Sequence, residues 1–265
     1  MHPVGFQDPF GSTRSPARII AVIPARFEST RLPGKPLVEI AGRSMVEHVY
    51  RRAAAARGVD AVIVATDDER VAEAVRAFGG VARLTRASHT SGTDRVAEVA
   101  ADLECDIVLN VQGDEPLVEP ALIEQVVGPL VADRAVDMST ACCAMTDPAD
   151  LLNPNVVKVV TDLQGRALYF SRSPIPHVRG GLAPSLASPI RKHVGLYGYR
   201  RSFLLTLSAL PQTPLELLES LEQLRALEHG YHIQTVDTHH DSIGVDTPED
   251  LDRVRRHLLA ASTRG

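Results

Sequence analysis

Three cationic side chains lie close together in a proline-rich segment near the start of the chain. Arg26, Arg31 and Lys35 fall within ten residues, and three prolines lie in or beside the same span. Proline fixes φ and removes a backbone donor, so this segment can form neither a regular helix nor a central strand. Cations held by a rigid loop are suited to binding phosphate groups. The alternative is that they are solvated charges on an ordinary surface loop.

This cationic segment does not match a Walker A loop. Gly34 and Lys35 are followed by Pro36 rather than by Ser or Thr, and the residue five positions before Gly34 is not glycine. The dinucleotide-binding pattern Gly-x-Gly-x-x-Gly is also absent after the first apolar run. Any phosphate binding must therefore come from the Arg and Lys side chains.

A second polar stretch, residues 110–116, follows an apolar run that predicts a buried strand. Its Gly113 permits close backbone approach or a positive φ. Mg²⁺ prefers one or two carboxylates together with phosphate oxygens and water, which makes Asp114 a candidate ligand. The alternative is that Asp114 and Glu115 only cap the next turn. Asp246 supplies a second carboxylate far along the chain, although helix entry alone would explain it.

Two further groups of polar residues have alternative interpretations. Arg86 and the segment Ser91-Gly92-Thr93 form a loop of donors suited to a base or a phosphate. Ser91 or Thr93 could equally be only the cap of the next helix. The residues His239-His240-Asp241 have no third partner in a metal-binding pattern, which favours solvated histidines.

Two residue pairs in the second half could recognise a polyhydroxylated substrate. His193 and Tyr197 share one face of a predicted strand, and Glu222 and Gln223 lie on a predicted helix. Each of these four residues could equally be a buried or surface residue without a functional role.

The composition allows one large domain and argues against several classes of function. The chain has 265 residues, 44% of them hydrophobic, and a formal net charge of −5. It is long enough for a large α/β domain with a small insertion, and its charge argues against a general nucleic-acid binder. No apolar stretch reaches the roughly 18–20 residues of a membrane span, and no signal peptide is predicted. Three cysteines without a disulfide or zinc pattern favour a reduced, cytoplasmic setting.

In the first half, apolar strands alternate with helical patterns. Apolar runs predict strands at 19–22, 60–65, 81–84 and 106–111. Helical periodicity and cap residues predict helices at 44–57, 69–78 and 94–103. This alternation is typical of right-handed βαβ units in a Rossmann-like, doubly wound and mostly parallel sheet. Ligands of such sheets bind outside the carboxyl ends of the strands, where the two polar stretches are expected.

The second half has a different pattern, which predicts a smaller β-rich insertion. Strands are predicted at 137–145, 156–161, 166–170, 191–199 and 233–236. The turn 162–165 joins two of them into a hairpin, and a Gly/Pro/Ser-rich loop at 171–189 follows. One helix is predicted at 214–228, and a final helix begins where Thr247 and Asp250 form a capping box.

Six motifs, in order along the chain, resemble the 3-deoxy-manno-octulosonate (Kdo) cytidylyltransferases, or CMP-Kdo synthetases. The motifs are residues 23–36, 110–116, 153–155, 169–172, 221–225 and 244–250. The resemblance spans about residues 18–258; the segment 239–242 is less typical of the family. It implies a nucleotide-diphospho-sugar transferase type of fold and the Mg²⁺-dependent reaction of CTP with Kdo, which gives CMP-Kdo and pyrophosphate. This reaction serves lipopolysaccharide biosynthesis in a Gram-negative cytoplasm.

The resemblance also implies a homodimer, and the sequence patterns predict the domain organisation. We expect a flexible tail at 1–18 and a single α/β nucleotidyltransferase domain at 19–265. An insertion at about 150–200 is expected to make substrate and dimer contacts. Neither a nucleic acid nor a membrane is expected as a partner.

Residue roles follow from the same resemblance, position by position. The triphosphate-binding and catalytic residues are expected to be Arg26, Lys35 and Asp114, with Ser29, Thr30 and Arg31 in the same loop motif as the two cations. The metal ligands are expected to be Asp114 and Asp246, and the other nucleotide-binding residues Arg86, Ser91, Gly92 and Gln112. Kdo is expected to contact Arg172, His193, Tyr197, Glu222 and Gln223.

The expected mechanism is an in-line attack of the anomeric hydroxyl of Kdo on the α-phosphorus of CTP. Catalysis would then be mainly positioning and charge neutralisation. No general base is evident in the sequence, so activation of the hydroxyl by the metal is expected. Arg26 and Lys35 would stabilise the charge that develops on the leaving pyrophosphate.

The sequence is also compatible with two alternative functions. One is a cytidylyltransferase for another acidic sugar, such as 8-amino-Kdo or sialic acid. The other is a non-catalytic nucleotide-binding module, which would leave Asp114 and Asp246 without a purpose.

Overall fold

A computed structural model describes residues 17–28, 32–145, 147–179, 190–241 and 244–262. The strands are β1 (Ile19–Pro24), β2 (Glu39–Ile40), β3 (Arg43–Ser44), β4 (Ala61–Thr66), β5 (Val81–Leu84), β6 (Ile107–Asn110), β7 (Met138–Ala144), β8 (Lys158–Thr161), β9 (Ala167–Ser171), β10 (Arg191–Arg200) and β11 (Ile233–Thr238). The helices are α1 (Met45–Ala54), α2 (Glu69–Ala77), α3 (Gly92–Ala101), α4 (Pro120–Ala132), α5 (Pro148–Leu152), α6 (Arg201–Ala209), α7 (Pro214–Glu219), α8 (Gln223–Glu228) and α9 (Pro248–Ser262). A 3₁₀ turn covers Lys35–Leu37.

The main sheet has the strand order β11-β7-β10-β6-β1-β4-β5. β1 lies parallel to both of its neighbours, so that Ile20 is opposite Ala61 on β4 and opposite Val108 on β6. β10 runs antiparallel to β6 and β7, and β7 runs parallel to β11. The carboxyl ends of β1, β4 and β6 therefore meet at one edge, and the predicted mostly parallel α/β fold is confirmed.

Both faces of the central strand β1 are buried. Ile19, Ala21 and Ile23 belong to one apolar cluster, and Ile20 and Val22 belong to the cluster on the opposite face. A strand covered on both faces has a nearly continuous apolar sequence. For this reason the apolar run at 19–22 was enough to predict β1. Burying a side chain of this size contributes about 1.5–3 kcal/mol, so these clusters fix the sheet that carries the loops.

The hairpin predicted in the second half is present as β8 and β9. Its turn is closed by Gly165, whose N–H donates to Asp162 O at 3.0 Å. The hairpin joins the main sheet through β10, because Lys158 and Val159 pair with Lys192 and Arg191. β10 itself is a central strand of the sheet, although it lies within the predicted insertion at 150–200.

The predicted single helix at 214–228 is wrong. Two short helices, α7 and α8, occupy this range, and Ser220 between them has a left-handed φ of 52°. A buried ion pair joins the two helices, because Arg225 Nε on α8 donates to Glu216 Oε2 on α7 at 2.8 Å. The break lets both Leu221 and Leu224 be buried. The periodicity of a sequence does not indicate where a helix breaks and changes direction.

The sequence patterns also gave no prediction for α4, α5 and α6. In α4, five apolar side chains are buried and the sequence is apolar on most sides, so the 3.6-residue period is weak. Pro129 lies inside this helix, which is a further reason why its sequence does not resemble a helix.

Candidate active site

The cationic loop after β1 is anchored by an aromatic contact. Gly34 N donates to Phe27 O at 3.2 Å, and Gly34 has the positive φ of 68° that glycine adopts readily. The Arg70 guanidinium lies 3.4 Å from the centre of the Phe27 ring. Asp68 accepts hydrogen bonds from Arg70 Nε at 2.9 Å and Nη2 at 2.6 Å. The start and the end of the loop are thus held together and packed against α2.

The loop after β6 lies directly against the end of β1. A Cβ atom added at Gly113 would lie 2.6 Å from Pro24 O, which is closer than any unstrained contact. Only glycine allows the two loops to approach this closely. The close approach brings Asp114 next to the cationic loop, at the carboxyl edge of the sheet.

Lys35 lies between two carboxylates at this edge. Its Nζ donates to Asp114 Oδ2 at 2.7 Å and to Asp246 Oδ1 at 2.9 Å, and its side chain is only 14% exposed. Burial alone would lower the pKa of Lys35, but the charges and hydrogen bonds of Asp114 and Asp246 outweigh it and raise the pKa. Lys35 is therefore a charged ammonium at neutral pH.

Asp246 lies next to Lys35 because it belongs to the segment that leads into α9. Val245 is fully buried, and its N–H donates to Asp114 O at 2.8 Å. The predicted capping box is present, because Asp250 N donates to Thr247 Oγ1 at 3.2 Å and Thr247 N donates to Asp250 Oδ2 at 3.1 Å. The helix start and the loop after β6 thus form one unit that carries both carboxylates.

A cavity of about 420 Å³ opens beside these charges. Its lining includes Arg26, Lys35, Gly92, Gln112 and Asp114. The structure thus brings together five of the residues predicted to bind the nucleotide or the metal. Ser29, Thr30 and Arg31 lie outside the described residues.

A second cavity of about 280 Å³ adjoins the first, because Gly92 and Gln112 line both. Tyr197, Glu222 and Gln223 line this second cavity. Gln223 is buried, and within the described part of the chain its Nε2 has no hydrogen-bond partner. An unpaired buried amide is a donor available to a ligand.

Glu222, which lines the second cavity, belongs to a partly buried polar network. Thr93 Oγ1 donates a short hydrogen bond to Glu222 Oε2. The hydroxyl of Tyr199 is hydrogen-bonded to Thr93 and Asn110, and burial raises the pKa of Tyr199. The phenol is therefore neutral, and the network fixes the orientation of the Glu222 carboxylate.

Three of the predicted site residues have contacts within the protein that explain their positions without a ligand. Arg86 is exposed, and its Nε donates to Glu98 at 3.2 Å. Ser91 caps α3 by accepting from Asp94 N at 3.1 Å. Arg172 donates to Glu219 O at 2.8 Å and to Pro154 O at 3.0 Å, in the loop that follows β9. Their predicted binding roles stay predictions.

His193 lies behind the second cavity rather than in its described lining. Its ring contacts Tyr197, with ring centres 5.4 Å apart, and its Nε2 lies 3.0 Å from Thr140 Oγ1. Burial lowers the pKa of His193 to about 3, so the imidazole is neutral at physiological pH. Its described contacts support Tyr197.

The sequence patterns missed Arg95, which lines the first cavity. Its side chain is fully buried, and its Nη2 donates to Asp67 Oδ2 at 2.8 Å. Its Nη1 donates to Thr85 Oγ1, which ties α3 to the loop after β5. One signal was available, since Arg95 lies four residues before the buried Val99 on α3. An arginine on an apolar helix face indicates a buried cation.

The two carboxylates fit a divalent cation. Both lie within 3 Å of one point, the position of Lys35 Nζ, and both carry oxygen ligands of the kind Mg²⁺ prefers. The described residues contain no group of three or more His, Cys, Asp and Glu side chains placed to hold a metal. Mg²⁺ does not need such a group when phosphate oxygens and water complete its coordination.

Comparison with known proteins identifies the family. A family model described as Cytidylyltransferase matches residues 20–235. A 3-deoxy-manno-octulosonate cytidylyltransferase of Geobacter metallireducens is 58% identical over 248 residues, which cover 91% of this chain and 98% of the relative. This chain belongs to the 3-deoxy-manno-octulosonate cytidylyltransferase family.

Other members of this family support the assignment. The 3-deoxy-manno-octulosonate cytidylyltransferase of Geobacter sulfurreducens is 56% identical over 247 residues, covering 91% of this chain and 99% of the relative. A solved structure of CMP:2-keto-3-deoxy-manno-octonic acid synthetase in complex with CTP is 46% identical, with a TM-score of 0.87. It covers 92% of this chain and 100% of the other. Both the predicted family and the predicted type of fold are confirmed.

No helix in the described part of the chain is both long enough and apolar enough to cross a membrane.

The close approach at Gly113 can be tested by a matched pair of substitutions. We expect Gly113→Ala to lower the free energy of unfolding by about 1–3 kcal/mol, because the new Cβ collides with the backbone of Pro24. Gly128→Ala, at a helix position where nothing lies within 4 Å, should leave stability unchanged or raise it by up to about 1 kcal/mol. Urea unfolding of both variants measures the difference, and equal effects would contradict the close approach.

The buried His193 predicts a loss of stability in acid. Its pKa is lower in the folded chain than the value of about 6.5 in an unfolded chain. Between these values only the unfolded chain binds the proton. The free energy of unfolding therefore falls as pH drops below about 6.5, by up to about 1.4 kcal/mol per pH unit from this group.

Urea unfolding at pH 7, 6 and 5 measures this dependence. We expect His193→Gln to have a shallower loss of stability than the wild type. His257→Gln, which changes an exposed histidine on α9, should keep the wild-type slope. The same slope in all three proteins would show that His193 does not cause it.

Proposed function

We propose that this protein transfers CMP from CTP to Kdo, with release of pyrophosphate, in a Mg²⁺-dependent reaction of lipopolysaccharide biosynthesis. The observation that carries the proposal is the convergence of Lys35, Asp114 and Asp246 beside the first cavity, which adjoins the second. One cavity is lined by cations and the other by groups that bind hydroxyls. The sequence identity to enzymes named for this reaction supports the choice of substrates.

The first cavity is proposed to bind the triphosphate of CTP. Arg26 and Lys35 both line it and are placed on the anchored loop after β1. Preorganised cations stabilise charge where it develops, which here is the leaving pyrophosphate. Gly92 at the start of α3 adds a backbone N–H group near the same cavity, since the first turn of a helix has unpaired donors. Arg86 and Ser91 are proposed to lie near the cytosine.

Asp114 and Asp246 are proposed to hold Mg²⁺. The bound ion would neutralise phosphate charge and lower the proton affinity of a hydroxyl that it contacts. The chain's own contribution is to fix the two carboxylates, through the close approach at Gly113 and the hydrogen bond from Val245 N to Asp114 O.

The second cavity is proposed to bind Kdo. The Glu222 carboxylate can accept from sugar hydroxyls, and Gln223 Nε2 can donate to them. The ring of Tyr197 forms part of the wall. We propose that Arg172 and His193 act on this cavity from behind, because their described contacts are with the loops and the ring that form it. Gln112 lines both cavities and so lies where the hydroxyl would meet the α-phosphate.

The metal role of Asp114 can be separated from nucleotide binding. We expect Asp114→Asn to reduce pyrophosphate release at least about 100-fold, equivalent to about 2.7 kcal/mol. CTP affinity measured by calorimetry should change much less, because the cations of the first cavity remain. Asp102→Asn, whose side chain is 80% exposed, is the control and should be fully active. Wild-type turnover by Asp114→Asn would overturn the proposal.

The choice of sugar and the need for a metal are tested by one assay. We expect CTP-dependent pyrophosphate release with Kdo and Mg²⁺, and a loss of release when the metal is chelated. Release that is faster with 8-amino-Kdo or sialic acid would favour a cytidylyltransferase for that sugar. No release with any acidic sugar would favour a binding module.

We propose a homodimer formed through the β8–β9 hairpin and α7. Leu163 and Leu168 on the hairpin and Leu218 on α7 are 100%, 61% and 81% exposed. The two elements adjoin, since Ser171 Oγ donates to Glu219 Oε1 at 2.6 Å. Exposed apolar side chains on adjoining elements are typical of a contact with a second copy.

The mass in solution tests this dimer. We expect a dimer for the wild type and a monomer for the double variant Leu168→Asp, Leu218→Asp, by light scattering. Leu84→Asp, on the far edge strand β5, should remain dimeric. A monomeric wild type would contradict the proposal.

We propose a cytoplasmic location, where CTP is available and thiols stay reduced. Cys105, Cys142 and Cys143 are free thiols, and burial raises the pKa of Cys142 to about 11. Thiols of this kind are typical of a reducing compartment.

A further inference from the structure

The ammonium of Lys35 occupies the position that fits a divalent cation. Its Nζ contacts one oxygen of Asp114 at 2.7 Å and one oxygen of Asp246 at 2.9 Å. Mg²⁺ binds carboxylate oxygens at about 2.0–2.1 Å and requires a nearly octahedral set of oxygens. An ammonium and a magnesium ion cannot both use these oxygens at these distances. Each carboxylate has a second oxygen, but a divalent ion bound there would lie close to the ammonium and be repelled by it. The lysine and the metal therefore compete for the same two carboxylates.

We propose that Lys35 acts as an exchangeable counter-ion, which holds the carboxylate pair until the nucleotide arrives and then moves onto its phosphates. Binding of metal and nucleotide is then coupled, because each favours the same displacement of one side chain. This inference rests on the proposed metal role of Asp114 and Asp246. It specifies an order of events, in which Lys35 leaves the two carboxylates when the nucleotide binds.

The charges in the pocket favour this exchange. Without Lys35 two adjacent carboxylates would repel each other in a partly buried place, and the ammonium removes that repulsion. A divalent cation that entered while Lys35 stayed would instead be repelled by the ammonium. A triphosphate supplies several negative charges next to the lysine, so Lys35 can leave the carboxylates without losing a counter-charge.

The local structure permits the movement. The backbone of Lys35 is fixed, because its N–H donates to Leu32 O at 3.1 Å and its carbonyl accepts from Val38 N at 3.2 Å. Pro36 is buried and holds the turn in place. Only the end of the flexible lysine side chain is bound to the carboxylates. The same side chain lines the first cavity, so a rotation of its χ angles brings the ammonium to the proposed phosphates.

Coupling of this kind is reciprocal. If the metal weakens the hold of the carboxylates on Lys35 and so favours nucleotide binding, the nucleotide must favour metal binding by the same factor. The free enzyme is then expected to bind a divalent cation weakly. Removing the ammonium, while keeping the length and the apolar stem of the side chain, should remove this competition.

The test measures metal binding to the full chain without nucleotide. Mn²⁺ is titrated into the wild type and Lys35→Met, and free Mn²⁺ is followed by electron paramagnetic resonance. We expect Lys35→Met to bind Mn²⁺ at least about tenfold more tightly than the wild type, a difference of about 1.4 kcal/mol. Thermal unfolding followed by circular dichroism checks that the variant is folded.

Arg26→Met is the matched control for charge alone. Arg26 lines the same cavity, and none of its described contacts is with the two carboxylates, so its removal should change the Mn²⁺ affinity less than about threefold. Equal gains in the two variants would mean a general charge effect and would overturn the exchange. An unchanged or weaker affinity in Lys35→Met would overturn it as well.

The outcome is separable from the proposed function. Pyrophosphate release by the wild type, together with an unchanged Mn²⁺ affinity in Lys35→Met, would reject the exchange and keep the cytidylyltransferase. Tighter Mn²⁺ binding in Lys35→Met, without pyrophosphate release by the wild type with any acidic sugar, would keep the exchange and reject the reaction.

Discussion

The ion pairs of Lys35 with Asp114 and Asp246 join three segments that are far apart in the sequence. Two carboxyl groups this close in a partly buried place need either a proton on one of them or a counter-ion, and here the counter-ion is the Lys35 ammonium. The requirement fixes the relative positions of the loop after β1, the loop after β6 and the start of α9. The glycine at 113 and the buried Val245 are the packing features that allow the three segments to meet.

The helix α3 connects the two cavities. Gly92 at its first position lines both, and the neighbouring Thr93 donates to Glu222 in the second cavity. Arg95, one turn later, is tied to Asp67 at the end of β4. A shift of this helix would therefore change the lining of both cavities at once. The polar groups along it act as one network rather than as separate contacts.

The antiparallel strand β10 brings residues of the second half to the site. It pairs with β6, so that Tyr197 lies opposite Asn110 at the carboxyl edge of the parallel strands. The phenol of Tyr199 is buried, and its hydrogen bonds to Thr93 and Asn110 compensate for the loss of water. The mixed sheet thus places the rings of Tyr197 and Tyr199 in the wall of the second cavity, beside Asn110 and Gln112 at the end of β6.

The sequence by itself determined the parallel strands, the proline-rich cationic loop and the polar stretch around Asp114. Apolar runs, prolines and glycines act over a few residues, so their structural effects can be predicted from short segments of the sequence. Through the family resemblance it also paired Asp246 with Asp114 as metal ligands, but it did not predict that Asp246 contacts Lys35. Only the tertiary structure decided the break at Ser220, the partners of the buried Arg95 and the contacts of Arg172 with backbone carbonyls. It also decided that one lysine holds both aspartates. Each of these depends on charges and packing between segments distant in the chain, which no local pattern encodes.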